Sequence, residues 1–475
     1  MFSERSGWGW KNWVVLGAAL GCAALAGPRA GSAEPGIRVV RVEALGEGEP
    51  GKALTERLTA RLNRGGRVKA AEDAANADAT LRGTFRIWET GRFSIDPHAT
   101  SYKMIAYQGY LSVELVDRAG QTVWSYLATP RRFRSASIED DLADQVAVRL
   151  EEALKGGGLT TGAAGPGPQT ALHAAGATLP APLYRKWFQS ANAAVSYDAV
   201  GSEAGIAALE AGKVDFAASD FPLTGDAAGR VTEIPTVAGG VVPIYNLEGV
   251  GRDLKLTPEV LEGIYAGTIR RWSDARIRET NRGARLPDAE IAVVHRSDGS
   301  GTTFVWTSFL SLVSSDWKGK VGAGARVEWP VGTGAEGNDG VAEKVAKTKN
   351  AIGYVELIYA IQHELSFAAV RNPAGQFVKA SLDSITAAAT DAANAQGEGF
   401  RLSILNSPHR DEYPISTFTW LLVPKEGLTK EKLAAVREML KWMLTSGQKE
   451  CAGLGYAPLP REVAARALTV VEGMK

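Results

Sequence analysis

The chain has 475 residues, and its 53 lysine and arginine residues balance its 53 aspartate and glutamate residues. A prior of roughly 150 residues per domain predicts about three compact units. The even charge argues against the basic surface that nucleic-acid-binding proteins use, and the 45% hydrophobic content is typical of folded chains. Function must therefore come from local sites, since the bulk charge indicates no partner.

The N-terminal segment has the pattern of a secretory signal peptide. Arg5 and Lys11 precede an apolar run over residues 14–27, and the small residues Gly-Ser-Ala occupy positions 31–33. The run is shorter than the roughly 20 residues that a membrane-spanning helix needs. We therefore predict that residues 1–33 are removed and that the mature protein is periplasmic. Removal takes away three basic side chains and one acidic side chain, so the formal charge falls to −2.

One of the two cysteines offers an alternative to this cleavage. Cys22 lies in the sequence Ala-Leu-Gly-Cys, a weak match to a bacterial lipoprotein cleavage box, and lipid anchoring there is the less favoured prediction. Under the favoured cleavage Cys451 is the remaining cysteine, so an intramolecular disulfide is excluded. Packed cores must then supply the stability.

A Gly/Pro-rich stretch over residues 156–170 predicts a flexible linker. The preceding residues, 34–155, predict a small α/β module. Its expected elements are a helix with Leu54, Leu58 and Leu62 on one face, strands over residues 80–88, 110–116 and 122–124, and a helix to Leu154 with an acidic first turn at residues 139–141.

The module loosely resembles α/β modules of bacterial envelope lipoproteins and secretion factors, which implies an envelope partner through residues 34–155. A purely structural role is the alternative. Arg131, Arg132 and Arg134 surround Phe133, but so small a basic cluster is typical of a solvated loop, and we predict no nucleic-acid partner.

Three stretches of small residues after the linker predict helix N-termini. They begin at Gly176, Gly201 and Asp298, and Thr178 is expected to be the N-cap of the first helix because prolines follow it. A helix N-terminus offers unpaired N–H donors and the positive end of the helix dipole. Each stretch alone is most often an ordinary cap, but three that converge would form an anion site without net positive charge.

Charged residues follow two predicted strands. Arg296 and Asp298 come after the apolar residues 291–294, and Asp220 follows another strand, at the strand ends where open α/β sheets bind ligands. An arginine can grip two oxygens of an oxyanion while a neighbouring carboxylate fixes it. Asp220 would accept a hydrogen bond from a protonated oxyanion such as phosphate, which sulfate cannot donate.

From about residue 172 to residue 465 the chain resembles the family of periplasmic phosphate-binding proteins that serve phosphate ABC importers. The resemblance is carried by the motifs AGATLPAPLYRKWF, VGSEAGI, VDFAASDFPL, PTVAGGVVPIYN, VVHRSDGSGTTFVW, WPVGTGAEGNDGVA and AIGYVELIYA. It implies an α/β, two-lobed periplasmic binding protein fold of type II with hinge crossovers. Lobe I would comprise residues 171–245 and 413–475, and lobe II would comprise residues 246–412.

The resemblance also implies a function and a set of ligand residues. The protein would capture inorganic phosphate by hinge closure and pass it to the importer's permease subunits, with no catalysis and no cofactor. The implied phosphate-binding residues are Thr178, the backbone N–H of Leu179, Ser202, Asp220, Arg296, Ser300, Gly301 and Thr302, and Asp298 is implied to hold the arginine.

Several features leave alternatives open. Glu203 stands where family members often have a small residue, so it either points to solvent or weakens anion affinity. A phosphatase that uses the same cleft, and a sensor without a transport role, are the competing functions. Ser300 lacks an identifiable base, and the five histidines lack metal-ligand spacing, so we predict neither a nucleophile nor a metal site.

Overall fold

The structure is a computed structural model that describes residues 37–46, 48–65, 68–71, 73–93, 104–120, 122–128, 130, 135–155, 170–250, 254–394 and 403–474. The predicted signal peptide with Cys22, the basic cluster at residues 131–134 and nearly all of the predicted linker lie outside these ranges. Within the ranges, no helix is both long enough and apolar enough to cross a lipid bilayer.

The N-terminal module combines a sheet of five described strands with two helices. Its elements are β1 (Val39–Val42), α1 (Gly48–Gly65), β2 (Lys69–Ala71), β3 (Ala79–Phe93), β4 (Met104–Asp117), β5 (Thr122–Ala128) and α2 (Ser135–Lys155). The strand order is β2-β1-β3-β4-β5, in which β1 runs parallel to β2 and β3 while β3, β4 and β5 form antiparallel pairs.

The periodicity predicted for the first helix is confirmed. Leu54, Leu58 and Leu62 of α1 are completely buried, and each such leucine stabilises the fold by about 1.5–3 kcal/mol relative to an exposed one. The predicted start of the second helix is shifted. Because α2 begins at Ser135, the acidic residues 139–141 lie in its second turn.

The rest of the chain has a two-lobed fold, and the names lobe I and lobe II are given to the ranges predicted above. The first segment of lobe I contains β6 (Leu172–Gly176), α3 (Ala181–Ser190), β7 (Val195–Asp198), α4 (Ser202–Glu210), β8 (Phe216–Ser219), α5 (Gly225–Arg230) and β9 (Val231–Asn246).

Lobe II contains β10 (Lys255–Leu256), α6 (Pro258–Tyr265), α7 (Ala275–Thr280), β11 (Ala292–Arg296), α8 (Gly301–Val313), α9 (Ser315–Lys320), β12 (Thr333–Ala335), α10 (Gly337–Lys347), β13 (Ala351–Glu356), α11 (Leu357–Gln362), β14 (Ser366–Phe367), β15 (Ala369–Arg371), β16 (Phe377–Val378) and α12 (Leu382–Asn394). The chain then returns to lobe I through β17 (Ser416–Pro424), α13 (Lys430–Leu444) and α14 (Arg461–Gly473).

One sheet runs through both lobes, in the order β12-β11-β13-β9-β17-β8-β6-β7. Its central strand, β9, pairs with β17 over residues 231–240 and with β13 over residues 241–246. Phe418 and Trp420 lie on β17 and are buried. The first crossing between the lobes is therefore made by β9, and the strand ends around β8 and β11 face each other across the cleft.

The N-terminal module packs directly on lobe I. Ser125 Oγ donates to the carbonyl of Lys449 at 2.5 Å and accepts from the backbone N–H of Gly453 at 2.9 Å. Leu127 of β5 joins the large core of the lobes. An ion pair of 2.7 Å between Arg149 and Asp383 adds a contact with lobe II. The module is thus attached to the lobes by packing as well as by the chain.

Candidate anion-binding site

A buried arginine lies at the centre of the predicted site. Arg296 ends β11 with 3% of its surface exposed, and its Nε donates to Asp298 Oδ1 at 2.7 Å while its Nη2 donates to Asp298 Oδ2. Burial would raise the pKa of the Asp298 carboxyl, but the hydrogen bonds and charge of Arg296 outweigh it and hold that pKa below its usual value. The carboxylate therefore fixes the guanidinium plane and partly balances its charge.

The other edge of the guanidinium faces two hydroxyl groups. Arg296 Nη1 lies 3.3 Å from Thr178 Oγ1 and 3.3 Å from Thr302 Oγ1. Thr178 follows β6 in lobe I, whereas Thr302 lies in the first turn of α8 in lobe II. The arginine thus contacts both sides of the cleft at one point.

Each of the three predicted stretches of small residues leads into a helix. Helix α4 begins at Ser202, and α8 begins at Gly301 with Ser300 Oγ accepting from the Thr303 N–H at 3.1 Å. The cap predicted for the first helix is wrong, because α3 begins at Ala181 and Pro180 is its N-cap.

The donors after Thr178 show why its side chain does not cap α3. A cap side chain bonds the N–H group two or three residues further on, but Pro180 has no N–H and the Ala181 N–H donates to the Thr178 carbonyl at 3.3 Å. The Thr178 hydroxyl is instead used across the cleft. Its own carbonyl accepts from Tyr359 OH at 2.6 Å, and because the peptide is trans, the N–H of Leu179 points the opposite way. The Leu179 carbonyl is held by Tyr456 OH, also at 2.6 Å.

Asp220 faces the arginine from lobe I. It follows β8, it is 2% exposed, and its Oδ1 accepts from Thr419 Oγ1 at 2.7 Å. Its Oδ2 is buried and has no hydrogen-bond partner among the described residues. Burial raises the pKa of this carboxyl to about 7, although the Thr419 hydroxyl and the Arg296 charge lower it in part. An unsatisfied buried acceptor of this kind is costly and indicates a ligand-facing group.

Glycines allow the two lobes to meet at this point. A β-carbon on Gly301 would lie 2.4 Å from both Asp220 Oδ2 and Ser202 Oγ, so only glycine fits between them. The backbone N–H of Glu203 donates to the carbonyl of Gly299 across the cleft at 3.2 Å. The predicted site residues are therefore close together in an enclosed cleft, although they come from both lobes.

Glu203 points away from this enclosed centre. Its carboxylate accepts from Arg326 Nη2 at 3.2 Å and from Arg326 Nε at 3.3 Å, and both side chains are at least half exposed. Arg326 also donates to the Ser297 carbonyl at 3.0 Å. Of the two alternatives for Glu203, the structure therefore favours the solvent-facing one, with a cation from lobe II beside it.

Sequence reasoning missed the side chains that orient the site. Thr419 holds Asp220, Asn338 donates to both threonine hydroxyls, and the Tyr354 hydroxyl accepts from the Arg296 N–H at 3.1 Å. In the sequence, the only pattern that marks Thr419 is the apolar strand around it. The only pattern that marks Asn338 is the stretch of small residues before α10. Neither signal identifies a hydrogen-bond partner.

A group of metal-type side chains lies elsewhere in lobe II. Donor atoms of Asp391, His409 and Glu412 lie within 4.8 Å of one another. One of the five histidines, His409, belongs to this group. His409 Nε2 contacts the Asp391 carboxylate, and the Ser407 hydroxyl donates to Glu412, so hydrogen-bonding and ionic partners account for these side chains.

Comparison with known proteins defines the class. A family model described as a PBP superfamily domain matches residues 161–446, and the N-terminal module lies outside it. Solved structures of a high-affinity periplasmic phosphate-binding protein and of the phosphate-binding protein of Stenotrophomonas maltophilia superpose with TM-scores of 0.51 and 0.50. They are 22% and 20% identical, and each match covers 63% of this chain and 93% of the neighbour. The fold is thus the two-lobed type II binding-protein fold, as predicted.

Curated relatives narrow this class. The phosphate-binding protein PstS of Xylella fastidiosa is 41% identical over 297 residues, which is 61% of this chain and 81% of that protein. PstS of Pasteurella multocida is 42% identical with 61% and 86% covered, and PstS of Methanocaldococcus jannaschii is 37% identical with 64% and 86% covered. The chain belongs to the PstS family of phosphate-binding proteins.

Proposed function

We propose that this protein binds inorganic phosphate outside the cytoplasm and delivers it to the permease subunits of a phosphate ABC importer. Membership of a family whose curated relatives are named phosphate-binding proteins supports the ligand. The enclosed cleft between two lobes supports capture by closure. The N-terminal sequence pattern supports export to the periplasm, and lipid anchoring at Cys22 is the alternative way of holding the protein there.

The proposed ligand set surrounds the space in front of Arg296. The guanidinium provides charge-assisted donors, and Asp298 holds it in place. Hydroxyl and backbone N–H donors complete the shell, and burial strengthens each of these interactions. The donors are Thr178, the Leu179 N–H, Ser202, Ser300, the Gly301 N–H and Thr302.

The buried carboxylate of Asp220 is the observation that supports phosphate as the ligand. A fully buried carboxylate beside an anion is unfavourable unless the ligand brings a proton to it. Phosphate retains at least one proton near neutral pH, whereas sulfate has none. The partnerless Oδ2 of Asp220 is therefore proposed to accept the phosphate P–OH group, and sulfate would leave this acceptor unsatisfied.

The competing functions have less support. A phosphatase must accommodate the alcohol part of an ester, but the close approach of Gly301 to Asp220 and Ser202 leaves an enclosed site for a small ion. A pure sensor would need a signalling partner, and residues 34–155 are the segment through which we propose an envelope partner to dock. Because that module is packed on lobe I, such a partner would be held beside the receptor.

Calorimetry of the mature chain, residues 34–475, tests the proposal. Phosphate-free protein is titrated with phosphate and, separately, with sulfate at the same ionic strength. We expect phosphate to bind with 1:1 stoichiometry and sulfate to bind at least about 100-fold more weakly, since a buried charged acceptor left unpaired costs about 3 kcal/mol. Absence of phosphate binding would overturn the proposed function.

A further inference from the structure

One buried amide joins the two lobes behind the proposed phosphate. Asn338 is the second residue of α10 and is 1% exposed. Its Oδ1 accepts from the backbone N–H of Glu356 at 3.0 Å, which fixes the orientation of the amide because a backbone N–H can only donate. Its Nδ2 therefore faces Thr178 Oγ1 at 2.8 Å and Thr302 Oγ1 at 3.3 Å, and it donates to both.

These contacts fix which hydrogen bonds the two threonine hydroxyls accept and which they can donate. A hydroxyl group has one proton and two lone pairs. Each of these oxygens accepts from Asn338 Nδ2 and from Arg296 Nη1, so both lone pairs are occupied. Neither hydroxyl donates to another group within the described part of the chain. The proton of each hydroxyl is thus left for a group in front of Arg296.

We infer that Asn338 is a positioning residue that makes Thr178 and Thr302 obligatory hydrogen-bond donors to the bound oxyanion. The inference rests on the proposed function and deepens it. Donors fixed on the arginine side require unprotonated ligand oxygens there, while Asp220 on the opposite side accepts. The phosphate proton is therefore directed toward Asp220, and Asn338 contributes to selectivity without touching the ligand.

Coupling between Asn338 and the hydroxyls provides the test. Phosphate affinity of the mature chain is measured by calorimetry for wild type, N338A, T302V, T178V and the N338A double variants. We expect N338A to weaken binding about tenfold in the wild-type background, which is the effect of losing one good hydrogen bond. In the T302V background, and in the T178V background, the further loss from N338A is expected to fall to about threefold or less.

Matched variants separate positioning from general structure. T302S keeps the hydroxyl, so N338A should retain its full effect in that background. N281A removes another buried amide of lobe II, one that bonds the Lys255 and Ile277 carbonyls, and should leave phosphate affinity unchanged. Urea unfolding checks that N338A is folded in buffer. If it is not, N338S replaces it in the same set of variants.

The possible results are distinct. Equal losses from N338A in all backgrounds would show that Asn338 acts only through the backbone of Glu356, and would overturn the inference while the proposed function stands. Unchanged affinity of N338A in the wild-type background would overturn it as well. Failure of wild type to bind phosphate would instead overturn the proposed function.

Discussion

The cleft contains two arginine–carboxylate pairs, one at its floor and one at its rim. Arg296 and Asp298 at the floor both come from lobe II, and the arginine side chain is completely buried. Arg326 and Glu203 at the rim connect the two lobes, and their side chains are 61% and 50% exposed. Both pairs join a guanidinium group to a carboxylate, and they differ in exposure to solvent and in whether they lie within one lobe or between two. Because the floor pair is buried, its charge and hydrogen bonds can act strongly on a ligand. Solvent screens the rim pair, which is therefore a weak contact between the lobes.

The largest expected effect comes from breaking the floor pair. R296A removes the charged donors and leaves the Asp298 carboxylate without its arginine partner. Removal of one partner of a buried ion pair lowers the free energy of unfolding by about 3–5 kcal/mol. We expect phosphate affinity to fall at least about 100-fold in calorimetry. R326A is the matched control, and an equal loss in both variants would show that burial does not distinguish the two regions.

The next effect concerns selectivity at the floor. D220N keeps the shape of the side chain but presents donors as well as an acceptor. We expect phosphate to bind about tenfold or more weakly and sulfate to bind more tightly than in wild type, because the unsatisfied carboxylate is removed. Competition calorimetry with the two anions gives the ratio. If D220N keeps the wild-type ratio of phosphate affinity to sulfate affinity, Asp220 does not discriminate between the two anions.

The same variant predicts a pH effect on stability. In the folded protein burial raises the pKa of Asp220 to about 7, above the unfolded value of 3.8. Between these values the folded state holds more protons than the unfolded state, so the contribution of Asp220 to stability falls as pH rises through this window. The change is at most of the order of 4 kcal/mol.

Urea unfolding in phosphate-free buffer measures this change. D220N, which cannot ionise, should be more stable than wild type at pH 8, and the difference should shrink toward pH 4. A difference that does not vary with pH would show that Asp220 is not destabilised by its burial.

The smallest effect is expected at the rim. A double-mutant cycle with E203A and R326A should give a coupling of about 0.2–1 kcal/mol in phosphate binding, and raising the salt concentration should reduce it. The cycle compares the four proteins at low and high ionic strength. A coupling of several kcal/mol would mean that the rim pair controls closure as strongly as the floor controls binding.

The sequence indicated the parts of the site that are local in the chain. Arg296 and Asp298 are two residues apart at a strand end, and Ser300 caps its own helix, so periodicity and cap chemistry were sufficient. The buried leucine face of α1 was predictable for the same reason. The cap at Thr178 was wrong because it was assigned from residue type, whereas Pro180 lacks an N–H and the Ala181 N–H bonds the Thr178 carbonyl.

The remaining site features depend on distant pairing. Thr419 and Asp220 are 199 residues apart, and Asn338 and Thr178 are 160 residues apart. Their contacts follow from the register of β17 against β8 and from the seating of α10 against the cleft, neither of which has a local pattern. The contact between Glu203 and Arg326 could not be predicted for the same reason, because Arg326 lies 123 residues further along the chain.

The change of partner along β9 has a mechanical consequence. Residues 231–240 of the strand pair with β17 of lobe I and residues 241–246 pair with β13 of lobe II, so sliding of one lobe along the other would break both hydrogen-bond ladders. Opening is therefore expected to be a bend about this junction. A β-carbon on Gly240 would lie 2.8 Å from Ile385 Cδ1 of α12, so this helix packs tightly at the pivot. Continuous pairing along β9 thus favours bending over sliding as the motion that admits and releases the ion.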